Sequence, residues 1–352
     1  MRKSLIAILA LILVSCGSVS PEDREKYLPE SNGKHGDILL LIEDNLYNSD
    51  IGQLIDSNIN IHPEGVYLRP EPMFSYFHKR PSELNHMNQL NRNILKVTIE
   101  ADSNFKETQF RILPNYFAKH QLFILIKDND EDRLYDFLSN NWDKVANEFN
   151  DHELNEYMRY YRSDPNDVVR EMAEKNFGID IILPSESKLR SDKKEFAWVM
   201  RERSHRLTGN DATNAQGGVF WIQQGILFWT EKYDSAAQMN IENLLQKRDT
   251  VLKYNVEGKV PGSYMATEYD PYYAPKGRKF NHKGSKAVEI RGLWKHAGHR
   301  GAFGGGPFVQ YTILNEKTNE MVTVCGYIYG PKFDKREYIR EVDAMLQSIE
   351  VL

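Results

Sequence analysis

The sequence predicts an α+β fold of two lobes, each a mainly antiparallel sheet packed by helices. Three observations support it. Short apolar or β-branched runs bounded by Gly, Asn or Pro recur along the chain, Asp37 to Glu43 and Gln121 to Lys127 among them, and read as buried strands. Between such runs lie apolar stripes at helical spacing, such as Leu134, Leu138, Trp142, Val145 and Phe149. The order strand, helix, several strands, helix occurs in both halves, which suits two sheets each backed by helices. A length of 352 residues has room for both.

Residues 1–15 read as a targeting segment. Arg2 and Lys3 form a basic start, and Leu5 to Val14 an apolar stretch of about ten residues, too short for a permanent bilayer-spanning helix. Leu13-Val14-Ser15-Cys16-Gly17 resembles the bacterial lipobox. That resemblance implies a lipid on the Cys16 thiol, removal of the peptide before it, and acylation of the new N-terminus. Two or more acyl chains, at about 0.8 kcal/mol per buried methylene, suffice to anchor a chain. The expected place is the periplasmic side of the cell envelope, with the outer membrane as the default. If Cys16 carries lipid, Cys325 has no cysteine to pair with. It lies in the alternating run Met321 to Tyr329 and reads as a small buried strand residue.

Residues 16–34 are polar, without an apolar period, and read as a tether. An N-terminal α+β lobe is expected over 35–150. Its strands are Asp37 to Glu43, Met73 to His78, Asn93 to Ile99 and Gln121 to Lys127; a helix covers Asp50 to Ile59, and Pro63 to Pro72 is loop or edge. The stripe from Leu134 to Phe149 makes a helix. A helical connection follows over 151–176, broken at Ser163-Asp164-Pro165, where Asp164 as cap and Pro165 in the first turn would restart it; Gly178 ends it.

The second lobe, 177–352, opens on Phe177 to Pro184 and continues with strands at Glu195 to Arg201 and Phe220 to Trp229, where Gly225 suggests a bulge. A polar loop from Thr208 to Gly218 separates them. A helix from about Met239 turns Ile241, Leu244, Leu245 and Leu252 to one side. After a long loop come the run Glu289 to Trp294, the Cys325 strand, and a last helix with a stripe of Tyr338, Val342, Met345, Leu346 and Ile349.

Composition and motifs narrow the function classes. A net charge of −5 argues against general nucleic-acid binding, which relies on a basic footprint. Gly301 and Gly306 have phosphate-loop spacing, but Pro307 and Phe308 stand where that loop needs Lys and Ser or Thr. The structural reading is a glycine corner leading into a strand. His296 and His299 are two imidazoles without a third ligand, and Asp128 to Asp132 lacks the Gly and Glu of a calcium loop. No metal and no cofactor is expected. No G-x-S-x-G elbow occurs, and Ser185 to Lys188 matches S-x-x-K without its companion motifs. No catalytic residue is therefore assigned.

The candidate binding residues are Arg291 and the basic, aromatic-flanked loop with Tyr272, Tyr273, Lys276, Arg278 and Lys279, which suits an anionic polymer or another envelope protein. Arg291 could equally pair with a buried acid.

Arg291-Gly292-Leu293-Trp294, Gly305-Gly306-Pro307-Phe308 and Tyr329-Gly330-Pro331 with Lys335 to Tyr338 resemble the C-terminal signature of domain-of-unknown-function family 4837. Arg92 to Leu95, Phe196-Ala197-Trp198, Arg248-Asp249 and Pro261 to Met265 follow the same pattern. The resemblance implies an envelope lipoprotein and assigns no activity. Phe177 to Pro184 and the closing helix also resemble PsbP-type αβα sandwiches. The reading is therefore a lipid-anchored envelope protein with a binding or assembly role; the alternative is a hydrolase acting on cell-wall or envelope polymers.

Overall fold

A computed structural model describes residues 25–60, 71–207 and 217–352. The targeting segment with Cys16, the first part of the tether, and most of the Pro63 to Pro72 and Thr208 to Gly218 loops lie outside these residues. The chain divides into two compact units, Met1–Ile55 with Tyr76–Val145, and Asp56–Ser75 with Ala146–Leu352.

The first unit is built on β1 (Asp37–Leu41), β2 (Ser75–Lys79), β3 (Asn93–Ile99), β4 (Gln109–Pro114) and β5 (Leu122–Asp128), in the order β2-β1-β3-β5-β4. Helix α1 (Asp50–Ile59) follows β1, and α2 (Glu131–Ser163) follows β5. Strands β1, β3 and β5 run parallel, and β4 pairs antiparallel with β5. This sheet is therefore mixed. The reason is visible in β1, where Ile38, Leu39, Leu40 and Leu41 are all buried. Such a continuous apolar run suits a central parallel strand, not one with a wet face.

The acidic run at the start of α2 works as a cap. Asp130 Oδ1 accepts from the Arg133 amide at 2.8 Å, and Asp128 accepts from Arg133 Nε at 2.9 Å and Thr108 Oγ1 at 2.5 Å. Burial works to raise the Asp128 carboxyl, but Arg133 and Thr108 outweigh it and bring it down to about 2.

The helical stretches expected before and after residue 150 are one continuous helix, α2. The restart also differs. Helix α3 (Asp167–Phe177) is capped by Asn166, whose Oδ1 accepts from the Val169 amide at 3.0 Å, rather than by Asp164 with Pro165. Gly178 ends it with φ of 62°.

The second unit continues with β6 (Ile179–Asp180), β7 (Lys188–Lys193), β8 (Phe196–Leu207), β9 (Gly218–Lys232), α4 (Ile241–Asn255), β10 (Tyr264–Thr267), β11 (Lys276–His282), β12 (Ser285–Ala297), β13 (Gly305–Asn315), β14 (Glu320–Tyr329), α5 (Arg336–Ser348) and β15 (Glu350–Val351). Its main sheet is antiparallel in the order β10-β12-β13-β14-β9-β8-β7, with β11 also on β12. β6 and β15 form a separate two-stranded sheet.

Alternation sorts the sheet into two faces. Val199, Ile226, Val309, Tyr311, Val324 and Ile328 join one core with Tyr161 of α2, Phe177 of α3 and Val342 of α5. Leu227, Trp229, Phe308, Cys325 and Tyr327 join the other, with Leu244, Leu245 and Leu252 of α4. The unit is thus an αβα sandwich. Cys325 is fully buried on the α4 face.

Two local expectations are corrected. The basic stretch from Lys276 is not a loop but the strand β11, a hairpin arm on β12. Gly225 is not a bulge either, because β9 keeps continuous register with both β8 and β14. A Cβ at Gly225 would collide with the ring of Tyr327 on the neighbouring strand. The irregularity lies in β7, between Leu189 and Ser191.

Side-chain anchors fix two helices, α4 to the sheet and the start of α5 to the segment before Ser75. At α4, Asp249 Oδ1 accepts from the Thr267 amide at 2.8 Å, while the buried Arg248 donates to Thr267 Oγ1 at 2.6 Å and stacks 3.8 Å above Phe308. At α5, the Glu71 carboxylate accepts from the amides of Lys335 at 2.8 Å and Arg336 at 2.6 Å. Those are amides that a helix start leaves unpaired.

Candidate functional site

Three clefts of similar size lie in the second unit; two of them, on opposite faces of its sheet, gather the candidate and aromatic residues. Strand alternation determines which side chains reach which. On β11, Lys276 and Arg278 point to the α5 face, as do Glu289 and Arg291 of the adjoining β12. Asp343 of α5 completes the set. Together with Met73, Asn147 and Asn150 they enclose a cavity of about 410 Å³.

Four of the five charged groups in this cleft, all but Lys276, are bound to one another. Arg291 NH2 donates to Asp343 Oδ1 at 2.6 Å and NH1 to Oδ2 at 3.2 Å, while its Nε donates to Glu289 Oε1. Arg278 donates to Glu289 Oε2 through Nε at 2.9 Å and NH2 at 2.6 Å. Burial pushes Glu289 up, but Arg291 and Arg278 outweigh it and hold the carboxyl below its ordinary value. Burial raises Asp343, and Arg291 offsets this only in part. Burial likewise disfavours charge on Arg291, yet Asp343 and Glu289 raise its pKa above the ordinary value. Arg278, Glu289, Arg291 and Asp343 thus form one ion-pair network, and Lys276 adds a further positive charge beside it.

Of the candidate binding residues, the structure thus brings together Arg291, Arg278 and Lys276. Lys279 is an odd neighbour on β11 and turns away, its Nζ 3.5 Å from Asn240 Oδ1. Tyr272 and Tyr273 sit in the short helical turn Pro271–Tyr273 ahead of β11, capped by Asp270, and do not line the cleft. Tyr272 is almost wholly exposed. Cys16 lies outside the described residues.

The second cleft, about 400 Å³, opens on the α4 face. Trp198 of β8, Tyr327 and Tyr329 of β14 and Trp294 of β12 supply its walls, because each falls on the outward-alternating set of that face. Trp294 stands nearly perpendicular to Tyr327, at 77°, with ring centres 5.6 Å apart, and to His296, at 84° and 5.3 Å. Trp198 Nε1 donates to the Tyr327 hydroxyl at 3.1 Å, and Trp294 Nε1 to the Ile328 carbonyl at 3.0 Å. Those bonds fix the rings in place.

The connection between β12 and β13 forms the lip. Gly298 and Gly304 take positive φ, 86° and 143°, which lets the chain turn back tightly. Phe303 in that loop is 85% exposed at the mouth of the cleft. His296 lines the wall, where burial holds its imidazole below the ordinary range. Its Nδ1 is buried beside Gly258 and has no hydrogen-bond partner. His299 instead accepts from the Gly301 amide at 3.0 Å, within its own loop.

Sequence reasoning reached Trp294 as a motif residue and His296 as half of an incomplete metal pair, but did not assemble this cleft. Its signal is aromatic residues at matching alternation on β8, β12 and β14, legible only once those strands are placed in order.

No curated protein matches the chain. Among solved structures, the Ran-binding protein Mog1p of Saccharomyces cerevisiae is 10% identical, with 49% of this chain and 90% of that chain covered and a TM-score of 0.28. A point mutant of Mog1 aligns at 10% identity over the same shares, with a TM-score of 0.27. A likeness of that degree says nothing of this chain's partners. A family model described as Domain of unknown function (DUF8532) matches residues 31–162, the span that contains the Arg92 to Leu95 motif. The model described as Domain of unknown function (DUF4837) matches residues 166–348, which take in the whole main sheet of the second unit and the aromatic cleft. That match spans more than half of the sequence, and the chain belongs to the DUF4837 family.

Proposed function

We propose that this chain is a lipid-anchored protein on the periplasmic side of the cell envelope, held by acyl chains on Cys16, whose second unit binds a ligand without transforming it. The aromatic cleft carries the reading. Its walls are rigid, mostly apolar and concave, with a few polar atoms at fixed positions, the usual make-up of a ligand site. A hydrolase of envelope polymers would instead need a carboxyl group positioned to give or take a proton. Asp343 and Glu289 converge in the other cleft, but guanidinium groups hold both. Lys276 and Arg278 at its rim suit contact with an anionic polymer or another envelope protein.

Two measurements test this. Replacing Cys16 with Ala should abolish acyl labelling and release the chain from the membrane fraction; unchanged labelling and fractionation would refute the anchor. A photoreactive side chain at position 303, on the lip, should form a discrete adduct in intact envelopes. A lip that yields no adduct under illumination would count against a ligand-binding role.

A further inference from the structure

We infer that the aromatic cleft takes an uncharged sugar ring, a hexopyranose unit of an envelope glycan. This rests on the ligand-binding reading above and names the ligand class. The partly exposed Trp198 and Tyr329 and the buried Trp294 and Tyr327 line the walls, and an uncharged pyranose presents C–H-rich faces that stack on aromatic rings. The cleft is not purely apolar, which disfavours an acyl chain. The Tyr329 hydroxyl makes no hydrogen bond among the described residues, and the buried His296 Nδ1 also has no partner. Gln223 spends its amide nitrogen on Glu202, at 2.8 Å, and keeps its oxygen for a ligand. Of these atoms His296 Nδ1 is the buried one; leaving it unpaired is costly, and a sugar hydroxyl can donate to it.

Charge argues against an anion. The cleft has one acid, Glu257, and one base, Lys259, both exposed at its rim, so no net positive charge awaits one. A volume of about 400 Å³ suits one or two sugar rings rather than a protein segment. The face also continues outward. Trp221 is 56% exposed and sits two residues before Gln223 on β9, on the same side of the sheet. With Phe303 at the mouth, it extends the aromatic surface along which further units of a glycan would lie.

The test uses the full chain, solubilised in detergent, and saturation-transfer NMR with cellobiose and N,N′-diacetylchitobiose as neutral probes. Hexanoate, choline and inorganic phosphate serve as contrasts. At least one disaccharide should receive saturation at its ring protons, with affinity on the order of millimolar. Tyr329→Phe should weaken binding about fivefold, and Phe303→Ala should weaken it with no change in melting temperature, since that side chain lies on the surface. Disaccharide signals that persist unchanged in both variants would place the sugar elsewhere and overturn the inference. Saturation of hexanoate, choline or phosphate in place of the sugars, lost in Phe303→Ala, would overturn the sugar assignment and leave the ligand-binding reading standing. No transfer to any probe, combined with no adduct from position 303, would remove both.

Discussion

Gly225 of β9 is a glycine because the ring of Tyr327, on the neighbouring strand β14, occupies the place where its side chain would stand. The hydroxyl of Tyr327 in turn accepts a hydrogen bond from Trp198 Nε1 and its ring packs edge-on to Trp294, so this one vacancy sets the back wall of the aromatic cleft. Gly225→Val should therefore destabilise the protein by about 3 kcal/mol, the upper part of the usual range for overpacking. Urea unfolding at neutral pH measures it. A variant with the parent's midpoint would show that the ring moves aside freely.

The clamp around Arg291 makes a second prediction. Arg291 joins Asp343 of α5 to Glu289 of β12, so truncating it leaves Asp343 without its partner in a largely buried place. Arg291→Met should cost about 3–5 kcal/mol, as removal of one member of a buried ion pair does. Adding Asp343→Leu should recover part of that loss, because the stranded charge goes with it, while Arg278 still holds Glu289. If the double variant is as unstable as the sum of the two single ones, the pair is not energetically coupled.

The buried histidine His282 predicts a pH dependence. Its Nε2 lies 2.8 Å from the Ile349 carbonyl, with Lys283 and Glu350 as charged neighbours, and burial holds its pKa below the ordinary 6.5. In the unfolded chain the ring takes up a proton near 6.5, while the folded chain resists it. Unfolded molecules therefore bind more protons below that pH, and stability falls as pH drops from 6.5 through the folded value. His296 acts in the same direction. The raised carboxyls of Asp343 and Glu71 act in the opposite sense, favouring the folded state as they protonate. His282→Phe isolates the first effect. Its unfolding free energy should change less between pH 7.5 and 5.5 than the parent's, and equal slopes would rule out His282 as a source.

How much of this was legible in the chain depends on where the information lies. β1, β3 and β5 announce themselves as apolar runs, and α4 and α5 as stripes, because burial writes directly on local sequence. The strands β7 (Lys188–Lys193) and β11 (Lys276–His282) were hidden, since their charged residues are what keeps a poorly covered strand from pairing with other chains. That is why a basic loop was expected where a hairpin arm stands. Arg291 was visible as a residue seeking a buried acid, but its partner Asp343 lies 52 positions away on α5. The aromatic cleft was hidden for a related reason. Trp198, Trp294 and Tyr327 come from three strands, and only the order β12-β13-β14-β9-β8 brings them to one face.

The two cysteines give a last prediction, which joins the core to the proposed anchor. Cys325 is fully buried in β14, and burial pushes its thiol above the ordinary value, so it should not react with a thiol reagent in the folded protein. A lipid on Cys16 would occupy its sulfur as a thioether. The mature chain, extracted from membranes in mild detergent, should then show no reactive thiol when native and one per chain after denaturation. Its intact mass should exceed that of residues 16–352 by the acyl and glyceryl groups. Two thiols on denaturation, or one thiol without the added mass, would refute lipid attachment at Cys16. A thiol that reacts in the native state would instead mean that β14 opens readily, and would set the stability of the α4 face well below that expected from its packing.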